Sequence, residues 1–145
     1  MNLQSGKYYW PTTFPDAPSY PALEEDLYCD VLIIGGGSSG AQCAYELADT
    51  NLDVVVIEKL TIGSGSTSAN TALLQYSGEK MFINLVNTFG EDYMARHLQL
   101  LKDAVDTIEA ASKNVAIDCE FTRRDTLYGA SCPEDVEKLR KEYEY

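Results

Sequence analysis

The feature that most constrains this chain is Ile33-Ile34-Gly35-Gly36-Gly37-Ser38-Ser39-Gly40, where a short apolar run stops abruptly at glycines in the spacing GxGxxG. Val31–Ile34 is rich in β-branched residues and bounded by glycine, so it reads as a strand buried on both faces. From Ser38 the period turns helical. Ala41, Ala44, Tyr45 and Ala48 share one face with Leu47 beside it, and Asp49-Thr50-Asn51 ends the pattern. Val54–Ile57 is a second buried strand. Strand, helix and strand within about thirty residues make a βαβ unit, which requires the two strands to be parallel.

The glycine spacing alone is weak evidence, but here it leaves a strand and opens a helix. Gly35 permits the tight turn. Gly37 has no side chain, so backbone can approach a pyrophosphate, and Gly40 lets the helix lie close on the strand. The amides at the start of that helix, around Ser38 and Ser39, and its dipole stabilise phosphate charge. Glu58 ends the second strand 18 positions after Gly40. A carboxylate there accepts hydrogen bonds from ribose hydroxyls and repels a 2′-phosphate, which disfavours NADP. The competing explanation, a glycine-rich turn plus a surface glutamate, must treat five coincident features as chance. The fingerprint does not separate FAD from NAD.

A length of 145 residues suits one domain. The net charge of −12 repels nucleic-acid phosphates and anionic headgroups, so neither is an expected partner. No apolar run approaches the roughly 20 residues of a membrane helix, and no signal-peptide pattern is visible at the start. Cys29, Cys43, Cys119 and Cys132 form no CxxC pair, so neither a disulfide framework nor a metal site is expected. Reduced thiols in a cytoplasmic protein fit better, with Cys43 a small buried hydrophobe in the alanine-rich helix.

Four of the five prolines fall within residues 1–26, together with Tyr8, Tyr9, Trp10 and Tyr20. Regular structure is not expected there. The segment is either a disordered tail or an extended arm lying on a folded body. Residues 61–71 are rich in glycine, serine and threonine, either a flexible loop or a functional one. Residues 79–89 and 91–113 read as two helices broken at Gly90, the second with an apolar stripe of Met94, Leu98, Leu101, Val105 and Ile108. His97 lies beside that stripe as a boundary residue rather than a base. Ile117, Cys119 and Phe121 alternate with polar residues as in a half-buried strand, which Thr126–Ala130 can pair with. Arg123 and Arg124 read as solvated turn charges, or else as groups facing a carboxylate substrate. Pro133 opens a last helix with Val136, Leu139 and Tyr143 on one face.

The segment from Glu58-Lys59 through Ile62-Gly63-Ser64-Gly65-Ser66-Thr67-Ser68-Ala69-Asn70-Thr71-Ala72-Leu73-Leu74 resembles the second flavin-binding segment of the D-amino-acid oxidase / glycine oxidase superfamily. Tyr8-Tyr9-Trp10 and Pro21-Ala22-Leu23 are similar to the arm of some members. Phe121 to Tyr128 is similar to the first strands of the family's substrate domain. The resemblance covers nearly the whole chain. It implies FAD as cofactor, oxidation of C–N bonds of an amine or amino acid, and Gly35 to Gly40 on the pyrophosphate. It places Glu58 on the adenosine ribose with Lys59 beside it. Ser66, Thr67 and Ser68 would touch the pyrophosphate and ribityl region, with Asn70, Thr71 and Ala72 along the isoalloxazine. Many relatives have Arg-Asn-Gly-Gly where this chain has Ala69-Asn70-Thr71-Ala72, and no residue marks covalent flavin attachment.

The expected fold is therefore α/β: a Rossmann-like FAD-binding βαβ unit with parallel strands, then helices and the start of an antiparallel substrate-domain sheet. The divisions are an arm at 1–26, part of an FAD domain at 27–75, a helical segment at 76–115 and the beginning of a substrate domain at 116–145. Family members run to several hundred residues, so the resemblance implies an N-terminal fragment with an incomplete fold. Such a piece is expected to be inactive alone, to self-associate through its unfinished sheet, and to leave the catalytic residues unnamed. Two rivals stand beside this: a non-catalytic fragment with weak or no nucleotide binding, and a NAD-dependent dehydrogenase domain.

Overall fold

The computed structural model describes residues 5–78 and 80–145. The chain divides into two compact units, 1–73 and 74–145.

In the first unit the arm is not wholly irregular. Trp10–Thr13 forms a short helix, α1, with Pro11 in its first turn. Proline lacks the N–H that a helix leaves unbonded there anyway, so it opens a helix while forbidding one further in. Strand β1, Val31–Ile34, runs parallel to β2, Val54–Ile57, in the register Val31 to Val54 and Ile34 to Ile57. Asp30 seals the outer end, because its side chain accepts the Asp53 N–H at 2.8 Å. Helix α2, Ser38–Leu47, crosses between the strands and packs on both. This parallel βαβ unit is part of a Rossmann-like α/β fold. The inward face of α2 is Gly40, Ala44 and Leu47, whereas Ala41, Cys43, Tyr45 and Ala48 are exposed. Apolar period placed the helix correctly but not its rotation, because alanine is tolerated on either face. Burial of β1 on both faces is likewise corrected. Val31 and Ile33 are half-buried under α2, but Ile34 on the other face is 80% exposed.

The second unit is helical: α3, Phe82–Phe89; α4, Glu91–Asn114; α5, Pro133–Glu144. Gly90 separates α3 from α4 at φ +87°. The expected start at 79 lies outside the described residues, and α3 begins at Phe82. Glu142 of α5 explains that start, because its carboxylate accepts the N–H groups of Phe82 and Ile83 at 2.7 and 2.9 Å. Those amides have no intrahelical partner, and an anion there also meets the positive end of the helix dipole. The α4 stripe turns inward as expected, with Met94 only 3% exposed and Leu98, Leu101, Val105 and Ile108 half-buried. His97 is exposed. On α5 only Leu139 of the expected face is half-buried, while Val136 and Tyr143 are exposed.

Neither 117–122 nor 126–130 forms a strand. The expected hairpin fails on local chemistry. The Asp118 carboxylate takes the Glu120 N–H at 2.8 Å, and Glu120 sits at φ +51°, which ends extended structure. Arg123 then ties the segment to α4 through ion pairs with Asp106 and Glu109. No helix among the described residues is long and apolar enough to cross a membrane. Among the described residues no cluster of acidic, cysteine or histidine side chains could hold a metal, and the four cysteines are free.

Candidate functional site

The site forms at the end of β1, where the chain must reverse into α2. Gly35 adopts φ +109°, a region that costs an L-residue its Cβ clearance. Its N–H still donates to the Ile57 carbonyl at 2.7 Å, so the strand ladder runs up to the turn itself. A Cβ on Gly40 would lie 1.9 Å from the Gly35 carbonyl oxygen, which is why only glycine lets α2 start so close to β1.

Glu58 reaches back from the end of β2 to the turn. Its Oε2 accepts the Gly36 N–H at 2.7 Å and its Oε1 accepts the Leu60 N–H at 3.0 Å. The Leu60 and Gly36 amides hold its carboxyl below the usual carboxylate range, aided by the Lys59 N–H and ammonium and opposed by desolvation. Lys59 itself is exposed.

The serine- and threonine-rich stretch is ordered into a 3₁₀ turn, Gly65–Ala69, rather than a flexible loop. The Ser68 hydroxyl donates to the Gly65 carbonyl at 2.8 Å and is buried within the turn, whereas Ser66 is exposed. Thr67 Oγ1 accepts the Ser38 N–H at 2.9 Å. This hydroxyl meets the first amide of α2, at the point where a helix start offers unbonded N–H groups to an anion. Gly63 N–H donates to the Gly36 carbonyl at 2.8 Å, a second bond between the two glycine-rich segments. Asn70 closes the far side. Its Nδ2 donates to the Thr67 carbonyl and its Oδ1 accepts the Ala72 N–H, each at 2.6 Å. Ala72 sits at φ +56°, in the left-handed region that favours glycine.

The structure thus brings Gly35, Gly37, Ser38, Gly40, Glu58 and Thr67 into one corner, with Asn70 and Ala72 ordered beside Thr67. Ser39, Thr71 and Ser66 are exposed and make no contact that defines the corner. Within Gly35 to Gly40, sequence reasoning assigned Gly36 no role of its own. It is buried, it bonds both Glu58 and Gly63, and a Cβ there would lie 2.4 Å from Ile62 Cδ1. Its place inside the three-glycine run was the available signal.

The corner fits the ADP half of a dinucleotide. A Cβ on Gly37 would fall 2.9 Å from Thr67 Oγ1, so the glycine lets that hydroxyl approach the start of α2. A neutral protein oxygen already sits on the α2 amide, and each Glu58 oxygen keeps a lone pair for a sugar hydroxyl.

A profile of the DAO family, described as FAD dependent oxidoreductase, matches residues 30–145. YhfW of Bacillus subtilis, provisionally named a Rieske 2Fe-2S iron–sulfur protein, is 34% identical over 94% of this chain and 26% of its own length. Gamma-glutamylputrescine oxidoreductase of Escherichia coli is 29% identical over 83% of this chain and 28% of its own. Glycine oxidase of Geobacillus kaustophilus is 44% identical over 34% of this chain and 13% of its own. No solved structure matches. The chain spans about a quarter of the length of the first two relatives. A Rieske centre takes two histidine ligands, and this chain has one histidine, so it cannot by itself supply such a centre. The glycine corner, the carboxylate facing it and the family match across residues 30–145 make this chain a member of the DAO family of FAD dependent oxidoreductases.

Proposed function

We propose that this chain supplies the ADP-binding corner of an oxidoreductase that oxidises the C–N bond of an amine or amino acid with FAD. The observation that carries the reading is the junction at the start of α2, where Thr67 Oγ1 meets the Ser38 amide while Glu58 holds Gly36. Two segments far apart in sequence converge there on one helix N-terminus. The names of two relatives, a gamma-glutamylputrescine oxidoreductase and a glycine oxidase, support the amine or amino-acid substrate class.

In this reading the backbone of Gly35 to Gly40, with Ser38 and Ser39 at the helix start, receives the pyrophosphate, its charge met by amides and dipole. Glu58 orients the adenosine ribose through its hydroxyls, and Lys59 adds a positive charge beside it. Ser66, Thr67 and Ser68 border the pyrophosphate and ribityl region, and Asn70, Thr71 and Ala72 line the path of the ring system. When bound, FAD supplies the acceptor for a hydride leaving the carbon that bears the amine, and water hydrolyses the imine. The chain's own part is position and electrostatics.

The test is a visible flavin spectrum in the purified protein, with an FAD titration. Bound flavin is the expected result; because this chain is expected to be inactive alone, amine-dependent bleaching is read anaerobically in a protein of the relatives' full length that carries it. Flavin that no amine bleaches there marks a passive flavin binder. A chain that binds NADH but not FAD is a dehydrogenase domain, and either outcome overturns the reading.

A further inference from the structure

We propose that Trp10 is a positioning residue of the cofactor site, acting through the backbone of Asn70. Its indole N–H donates to the Asn70 carbonyl at 2.7 Å across sixty positions of sequence. The proposal rests on the reading of the corner as an FAD site.

The contact is built rather than incidental. Among the described residues of the arm, Trp10 is the half-buried one. Tyr9 packs edge-on against its ring, with centroids 5.0 Å apart and planes at 75°. The short helix that aims it is held by its own hydroxyls: Thr12 Oγ1 donates to the Tyr9 carbonyl at 2.6 Å and Thr13 Oγ1 to the Trp10 carbonyl at 2.8 Å. The receiving residue is the one that shapes the second segment. Asn70 fixes Thr67 through Nδ2 and Ala72 through Oδ1, and Thr67 carries the hydroxyl at the start of α2. One hydrogen-bonded path therefore runs from the arm through Asn70 and Thr67 to Ser38. Ala72 is a non-glycine residue at φ +56°, a conformation that persists only where its surroundings hold it. The indole bond anchors the residue two positions before it.

Trp10→Phe keeps the ring and deletes the donor. Two measurements are made on wild type and variant, with thermal melts to confirm a matched fold: amide exchange at Ala72 without cofactor, and FAD affinity by fluorescence titration. Trp10→Phe is expected to speed exchange at Ala72 and to weaken FAD binding about 3- to 10-fold, the range set by losing one ordinary hydrogen bond. Tyr9→Leu, which retains the indole donor, is expected to change FAD affinity less. Unchanged exchange, or faster exchange with unchanged FAD affinity, overturns the proposal and leaves the corner's function standing. If the wild type itself binds no FAD, the functional reading fails and the proposal falls with it. If Trp10→Phe misfolds, Tyr9→Leu decides: an affinity loss as large as that expected of Trp10→Phe shows that arm packing, not the indole donor, sets the site.

Discussion

Glu58 holds two amides as an anion, so its contribution depends on pH in a definite direction. Its carboxyl lies below the ordinary value of 4.5 in the folded chain. The stabilisation is fully present above that value and disappears as pH falls through the lower folded value, where protonation removes an acceptor from the Leu60 or Gly36 N–H. FAD affinity is expected to fall over the same acidic window, and a Glu58→Gln titration is expected to lose that pH dependence and bind roughly tenfold more weakly at neutral pH. Gly40→Ala is expected to destabilise the first unit by about 1–3 kcal/mol, because the new methyl overlaps the Gly35 carbonyl and α2 must back away from β1. Chemical denaturation reads this directly. Ala72→Gly should act in the opposite sense, relieving about 1 kcal/mol of left-handed strain. At this scale the sequence disclosed the tight turn at Gly35 and the close approach at Gly40, because both follow from local geometry and fixed spacing, and it put Glu58 at the end of β2 without disclosing its bonds to the Gly36 and Leu60 amides. It could not disclose Trp10 or Thr67 as partners of Asn70 and Ser38, since those pairings join segments that only folding brings together.

The elements themselves were legible where periodicity was strong. The β1–α2–β2 order and the α4 stripe follow from apolar period, and α5 opens at Pro133 as its position implies. Rotation and partnership were less so. Alanines did not define the inward face of α2, and alternation at 117–122 read as a strand because pattern cannot register a missing pairing edge or a local Asx bond. The cap on α3 was invisible for a similar reason, as Glu142 lies about sixty positions away from it. Glu142→Ala is expected to cost about 1 kcal/mol and to speed amide exchange at Phe82 and Ile83. At the start of α5, the Cys132 thiol is pushed up by the carboxylates of Glu134 and Asp135, so it should react slowly with alkylating reagents despite its exposure.

Taken whole, the chain leaves much apolar area in contact with solvent. Tyr28, Leu32, Ile34 and Leu73 of the first unit are exposed, and among the described residues each strand of its sheet has a hydrogen-bonded neighbour on one side only. Open edges and uncovered apolar faces favour association. If the chain self-associates through this face, Ile34→Lys is expected to shift the sedimentation profile toward smaller species, and a monomeric parent chain or an unchanged profile counts against that association. The hydroxyl of Thr67 on the Ser38 amide has a thermodynamic corollary. In the proposed reading, an anion that took that amide would displace an oxygen belonging to the polypeptide itself, trading one acceptor for another. Calorimetry of ligand uptake should then register only a small heat from that amide, and the driving force must be sought in charge and in the contacts farther along the ligand.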